Sequence, residues 1–564
     1  MKLLLALFLV TTLTLNALPQ AIETIIKKST IPKKDISIYI KEVGANGRTI
    51  LSHNVKTTRT PASVIKVLST YAAVLKLGFD YRFPTKFYTK GSLSNGILNG
   101  DLIVKSYGDP TLDSKDLKGI VAKIRAKGIR NITGQIVIDR SYFRVGSKDS
   151  SGFDNHPYSA YNAMPDAMMF NERVSTICVI PNKDTVTKKH VDGSYKVINK
   201  LQRVNKPCKG KYSWPGIKID KTQATPQVWL QGKISKRCGK RNICKVVTKP
   251  YLSFYYALKE GLKKSGIAVA GNMRLRKVPN NAKPLFTHYS ESLEKIVSKT
   301  AKKSNNLYAR HLLLSLGAKM YGAPATLSKG RKAVENILRE HGALSEGRLS
   351  IDNGSGLSRT AKISAKILAD MYDNAYERYG KRWMKTLSIA GIDGTIKKRF
   401  RGTVVKNRAW MKTGTLNRVK NIGGYVKSKQ GRLYTVVILT NSNRGAWRAS
   451  QLQNEIMKWL VTYKGSGATK RVKSKLDNTA LGFRKTNTPH NNPYTKYYIQ
   501  TGSFSTQPSK SYLMRIEHLG LRYKVKHSTD YKVLIGAYAD EDRARGALEK
   551  VRKHISTGAF IIQL

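Results

Sequence analysis

Ser63 and Lys66 stand three residues apart in RTPASVIKVLSTYAAVLKLG, where a basic, Pro-containing run turns into an apolar helix. With the helix opening near Ala62, the two side chains share a face within a few ångströms and form a candidate nucleophile and base. A serine hydroxyl attacks well at neutral pH only with a base in hydrogen-bond reach, and no histidine of this sequence sits in a triad context. A lysine can serve if its ammonium form is destabilised by about 3 to 4 kcal/mol. The competing reading makes Ser63 an N-cap and Lys66 a solvated charge. Ser292 and Lys295 repeat the spacing with no chemistry to recommend them.

Two further triplets follow in order. Ser304-Asn305-Asn306 supplies a hydroxyl and an amide on alternate residues between helical segments, and Lys412-Thr413-Gly414-Thr415 precedes the strand NIGGYV. The second reads as an edge strand on which Gly414 permits close approach of a substrate backbone. Each triplet is common, and Ser52-His53-Asn54 also fits S-x-N. The order S-x-x-K, S-x-N, K-T-G is not common when each motif falls in its expected helix, turn or strand.

The elements that must hold these residues are legible in outline. SIYIKEVGANGRTILSHN reads as a hairpin with an Asn-Gly turn. From Tyr81 to Phe286 short strands and Gly-rich turns predict an inserted β-rich region. Helical periodicity returns with SLEKIVSKTAKKSNNLYARHLLLSLG, gives way to strands at NIGGYV and LYTVVILTNS, and closes with NRGAWRASQLQNEIMKWLVTY. Residues 464–493 lose nearly all apolar content and read as a flexible basic linker. Beyond them YYIQTGSFS and YKVLIGAYA repeat one pattern, each followed by a helix-like segment, which predicts a βαββαβ sheet with helices on one face.

The ordered motifs resemble those of the serine penicillin-recognising enzymes. PASVIK, SNNLYARHL, DNGSGLSR, AGIDGT and KTGTLNRVKNIGGYV are similar to the D-alanyl-D-alanine carboxypeptidases of the class C, penicillin-binding-protein-4 type, over roughly residues 25–463. The resemblance implies a multidomain α/β chain: an antiparallel sheet flanked by helices, the transpeptidase fold, split over 22–80 and 287–463 by the β-rich insertion 81–286. It implies acylation of Ser63 by peptidoglycan stem peptides, with Lys66 as base and Lys412 as a second cation that depresses it. Lys412 would also hold the substrate carboxylate with Thr413 or Thr415. Ser304 would relay a proton to the leaving amine, Asn306 would bind the peptide amide, and the N–H groups of Ser63 and Thr415 would form the oxyanion hole. β-Lactams would acylate the same serine, and no cofactor or metal is expected. A β-lactamase of class A would carry an E-x-x-L-N loop, which is absent; a catalytically silent wall-binding scaffold is the other alternative.

The tail resembles a SPOR domain over 494–564, which implies a ferredoxin-like module that binds denuded glycan strands through Gln500, Ser503 and Lys532. An RNA-recognition motif shares the βαββαβ pattern. Against it stands MKLLLALFLVTTLTLNALPQA, residues 1–21, which has the flanks and length of a secretory signal with Ala17 and Ala21 as candidate cleavage residues. Export predicts a periplasmic protein enriched at the division site, without nucleic-acid partners and without a membrane span after cleavage. The net charge of +67, from 102 basic and 35 acidic residues, attracts polyanions such as acidic wall polymer, or reflects a general lysine bias, since no single arm carries it. Hydrophobic content of 40% and mean hydropathy of −0.38 exclude a disordered chain. The four cysteines, Cys178, Cys208, Cys238 and Cys244, suggest one or two disulfides, with Cys238 and Cys244 nearest in sequence; C-x5-C is poor zinc spacing.

Overall fold

The computed structural model describes residues 18–44 and 47–465, and 497–563 apart from 520, 522, 528–529 and 539–540. Most of the expected signal, including Ala17, and the expected linker from residue 466 onward lie outside the described residues, whereas Ala21 sits in the first turn of the helix Gln20–Ser29. The chain divides into two units, one up to Ala468 and one from Thr469.

At the centre of the first unit is a six-stranded antiparallel sheet in the order Ser388–Ile389, Ala409–Leu416, Val419–Lys427, Leu433–Asn441, Ile36–Glu42, Thr49–His53. Alternation in its strands sends Val437 and Leu439 to one face and Val436 and Ile438 to the other, all fully buried. The first face packs on a helical layer that includes Lys66–Leu77, Leu293–Lys302, Asn306–Tyr321 and Ala365–Met384. The second is covered by Gln20–Ser29 and Ala446–Thr462. A sheet buried on both faces explains the near-continuous apolar run in LYTVVILTNS.

Strands between Pro84 and Tyr289 build sheets of their own. The long hairpin Pro84–Ser94 and Ile97–Ser106 anchors a seven-stranded sheet, on which the helices Asp116–Ala126 and Pro250–Lys264 pack. Its strand Lys283–Tyr289 pairs with Pro84–Ser94, so this region runs past the boundary expected at 286. Two three-stranded sheets, one of Lys196–Val204, Gly216–Asp220 and Gln227–Ser235, the other of Ser175–Ile180, Thr185–Lys188 and Arg241–Lys245, enclose a small core.

The disulfide joins Cys208 to Cys238, and Cys178 and Cys244 are free. Register decides this over sequence proximity. Lys196–Val204 and Gln227–Ser235 run parallel with Val204 beside Ser235, so the chain segments just beyond both strands emerge together. Cys244 instead lies within a strand, opposite Thr176. Closing a loop of sequence separation 30 restricts the unfolded chain by about 3 to 4 kcal/mol. Among the described residues no His, Cys, Asp and Glu side chains gather as a metal site, and no helix is long and apolar enough to cross a membrane.

The second unit is a four-stranded antiparallel sheet in the order Tyr523–His527, Tyr531–Tyr538, Tyr497–Phe504, Phe560–Gln563, with the helices Lys510–His518 and Glu541–His554 completing βαββαβ.

Candidate active site

Ser63 lies in a tight 3-10 turn, Ala62–Ile65, and Lys66 is the first residue of the helix Lys66–Leu77. No side chain caps either start, so Ser63 is not an N-cap. The turn is held from both sides. Asn421, fully buried in strand Val419–Lys427, donates its amide to the carbonyls of Thr60 at 2.9 Å and Pro61 at 2.8 Å. Gly356, at φ +73°, lies so close that a Cβ there would stand 1.9 Å from the Ala62 carbonyl oxygen. Ala62 itself is left-handed at φ 49°, a conformation an alanine holds only when its surroundings impose it.

Lys66 is entirely inaccessible, while Ser63 is partly exposed. The lysine Nζ is 2.7 Å from Ser63 Oγ and 2.7 Å from Asn306 Oδ1, and it also meets the Ser355 carbonyl oxygen. A neutral amine has two N–H donors and one lone pair. The two pure acceptors, Asn306 Oδ1 and Ser355 O, take the donors, which leaves the lone pair to accept the Ser63 hydroxyl proton. Burial pushes the Lys66 pKa well below its ordinary value, and the nearby charges of Lys412 and Arg310 push in the same direction. Ser292 and Lys295 show the contrast: Lys295 is solvent-exposed and paired with Glu291 at 2.7 Å.

Ser304 bridges the helices Leu293–Lys302 and Asn306–Tyr321 in a left-handed conformation, φ 55°, and Asn305 caps the second helix by accepting from the Tyr308 N–H. The turn points Ser304 Oγ at Lys412 Nζ, 2.9 Å away, and Asn306 at Lys66; the other end of the Asn306 amide donates to the Tyr161 carbonyl at 2.9 Å. Lys412 is fully buried, which lowers its pKa to about 7, and its remaining contact is the Thr413 carbonyl at 2.7 Å.

Strand Ala409–Leu416 pairs along its length with Val419–Lys427, but on its other side pairing stops at Met411: Ser388–Ile389 pairs with Trp410 and Met411, and the Ala390 N–H reaches the Ala409 carbonyl at 2.9 Å. Lys412 to Thr415 therefore form an open edge, with Thr415 exposed and Thr413 partly so. Backbone of the Ser63 turn approaches Gly414 closely. A Cβ at Gly414 would lie 2.7 Å from Pro61 O and 2.9 Å from Ser63 N, so a side chain here would drive the strand off the nucleophile.

Ser63, Lys66, Ser304, Asn306 and Lys412–Thr415 thus converge on one cleft. Sequence reasoning gave no role to the Ser355 carbonyl, to Thr395, whose hydroxyl accepts from Thr413 Oγ1 at 2.8 Å, or to Asn421. All three lie in stretches whose likeness to known enzymes is visible, DNGSGLSR, AGIDGT and KTGTLNRVKNIGGYV. Arg310, whose charge bears on Lys66, lies in another such stretch, SNNLYARHL, whereas Tyr161 carries no such signal.

In the second unit Ile499, Val533 and Ile535 form the buried core beneath the helices. Ser503 is opposite Lys532 in register, and Gln500 follows Ile499 across the pleat. The side chains of Gln500, Ser503 and Lys532 are all solvent-accessible to some degree. Beside them Lys524 Nζ lies 3.9 Å from the centre of the Tyr498 ring, an amphipathic pair that the sequence did not single out.

The chain is 27% identical over 441 residues to the D-alanyl-D-alanine carboxypeptidase of Actinomadura sp. (strain R39), covering 75% of this chain and 81% of that one. It is 27% identical over 424 residues to the D-alanyl-D-alanine carboxypeptidase of Haemophilus influenzae, covering 72% and 85%. The crystal structure of penicillin binding protein 4 from Haemophilus influenzae shares the fold, with a TM-score of 0.67 at 23% identity over 78% of this chain and 99% of that one. A second structure of that protein, complexed with a β-lactam, gives a TM-score of 0.62 at 24% identity over 78% and 99%. Residues 493–563 match the SPOR domain. Residues 18–463 match the D-Ala-D-Ala carboxypeptidase 3 (S13) family, and the chain belongs to it.

Proposed function

We propose that the chain is a serine-type D-Ala-D-Ala carboxypeptidase and DD-endopeptidase that cleaves peptidoglycan stem peptides through an acyl-enzyme on Ser63. The observation that carries this is the 2.7 Å contact between Ser63 Oγ and the buried amine of Lys66. Lys66 takes the hydroxyl proton as Oγ attacks the carbonyl of the penultimate D-alanine. The N–H groups of Ser63 and Thr415 receive the oxyanion, the strand carrying Thr415 passing against the Ser63 turn at Gly414. Lys412, with Thr413 or Thr415, holds the substrate carboxylate, and Asn306 binds the peptide amide. The C–N bond breaks as Ser304 passes a proton to the leaving nitrogen, and water then hydrolyses the ester. Free D-alanine leaves in the carboxypeptidase reaction and a cross-bridge amine in the endopeptidase reaction. A β-lactam is opened by the same attack, its amine remaining tethered to the acyl group.

The SPOR domain supports a second element: Gln500, Ser503 and Lys532 bind glycan stripped of peptides and hold the enzyme, exported by its N-terminal signal, at the periplasmic division site. Two assays test the two halves. Monomeric and cross-linked muropeptides digested with the full chain should lose terminal D-alanine and fall to monomers, respectively, by mass spectrometry. A protein that leaves both intact would be a scaffold instead. Retention on peptide-free glycan should survive moderate salt and drop in Gln500→Ala; retention abolished by salt and indifferent to that change would mark plain polyanion binding.

A further inference from the structure

A short segment between the two β-rich parts of the insertion reaches the catalytic turn. Asn171, Glu172 and Arg173 are consecutive left-handed residues at φ 49°, 52° and 58°, none of them glycine. Each flank is anchored: Asn171 Oδ1 accepts from the Ser114 N–H at 3.0 Å, and Arg173 donates to the Met164 carbonyl at 2.7 Å and to Asp149. Between these anchors Glu172 projects onto the S-x-N turn. Its Oε2 accepts from Asn305 Nδ2 at 3.0 Å, and its Oε1 accepts from the Tyr308 hydroxyl at 3.1 Å and pairs with Lys299 at 2.5 Å. Lys299 in turn donates to the Tyr308 hydroxyl at 2.8 Å.

Asn305 is the pivot. Its carbonyl oxygen caps the helix that starts at Asn306, its amide is fixed by Glu172, and its neighbours on either side are the two residues that touch Lys412 and Lys66. We infer that Glu172 is a positioning residue for the reaction, through which the inserted region sets the angle of the Ser304-Asn305-Asn306 turn. Glu172 touches neither substrate nor reacting atoms. This rests on the proposed Ser63 acylation. Without the carboxylate the Asn305 amide keeps only its cap bond from the Tyr308 N–H, and Ser304 Oγ and Asn306 Oδ1 lose the geometry that lets one deliver a proton and the other orient the base.

The test is stopped-flow labelling of the full chain by a fluorescent penicillin, separating the limiting acylation rate, the apparent affinity and the end-point. Glu172→Ala should lower the limiting rate about tenfold with affinity and end-point little changed. Asn305→Asp keeps an oxygen for the helix cap but sets two carboxylates against each other, and should be equally slow. The exchange Glu172→Gln with Asn305→Asp rebuilds every bond and reverses donor and acceptor only in the one between the two exchanged residues: the introduced glutamine donates its amide to the introduced aspartate, and the glutamine oxygen accepts from Tyr308 and Lys299 as the carboxylate did. The double variant should recover to within about threefold of the parent. A merely structural role would lower the end-point, as less protein folds, and leave the rate per labelled site unchanged; that result overturns the inference. So does a parental rate in Glu172→Ala, or no recovery in the exchange. A parent that is not labelled at Ser63 at all overturns the acylation reading and this one with it.

Discussion

Lys66→Met should fold, keep its cleft and fail to react with penicillin, its acylation slowed by about 10³ to 10⁴-fold or more, as expected for a lost general base. Ser63→Ala should not react at that site at all, and the double variant should be no worse than either, because two groups that act as one unit are lost together. Acylation of the parent should rise with pH as the Lys66 ammonium deprotonates, since only the amine has a lone pair for the Ser63 proton. Stability provides an independent readout. Lys66 is held below its ordinary pKa of 10.5 in the folded chain and returns to it on unfolding, so between these two values the unfolded chain binds more protons. The parent therefore gains stability as pH climbs toward 10.5, and the burden is full below the folded-state value. Methionine does not titrate. Denaturant midpoints of parent and Lys66→Met, compared at neutral and alkaline pH, should shift in the parent's favour as pH rises; a constant difference would mean that the buried amine is not depressed.

How much of this was legible follows from what is encoded locally. The S-x-x-K, S-x-N and K-T-G motifs could be placed because a helix start, an interhelical turn and a strand each leave a signature in neighbouring residues. The alternation of LYTVVILTNS was blurred because both faces of that strand are covered, and only the two packing layers reveal why. Contacts made by main-chain atoms leave no mark: the Ser355 carbonyl that orients Lys66 could have come from any residue type able to follow Gly354 in that loop. The disulfide was hidden for a related reason. Cys238 meets Cys208 because two parallel strands end in register, a fact about pairing across sequence that no spacing rule contains. Close approach could be read at Gly414, but sequence could not say that the Ser63 turn presses on it. The hold of Glu172 on Asn305 falls in the same class, a contact between residues far apart in sequence with nothing local to announce it.

Lys412→Met should lower acylation efficiency by about 10² to 10³-fold, or about 3 to 4 kcal/mol, for substrates that end in a free carboxylate. An ammonium has three donors, and Lys412 uses two on Ser304 Oγ and the Thr413 carbonyl, which leaves one for an incoming anion at the open strand edge. In this fully buried position the charge is costly until the anion arrives, which is why its pKa falls to about 7. The sign of the pH effect follows. Below about 7 Lys412 is cationic and attracts the carboxylate; above it the free enzyme loses that charge, so the efficiency of carboxylate substrates should decline on the alkaline side. A matched peptide with an amidated C-terminus makes no such demand and should lack the decline. In Lys412→Met the two peptides should react alike and neither should show the alkaline limb. Because the charge of Lys412 also pushes Lys66 down, the variant should further move the rising limb of the amidated peptide to higher pH, an effect on the base without any contact to it. If Lys412→Met still prefers the carboxylate, the anion is held elsewhere. If the rising limb stays where it is, the second cation is a binding group only, and burial with the charge of Arg310 accounts for the amine that activates Ser63.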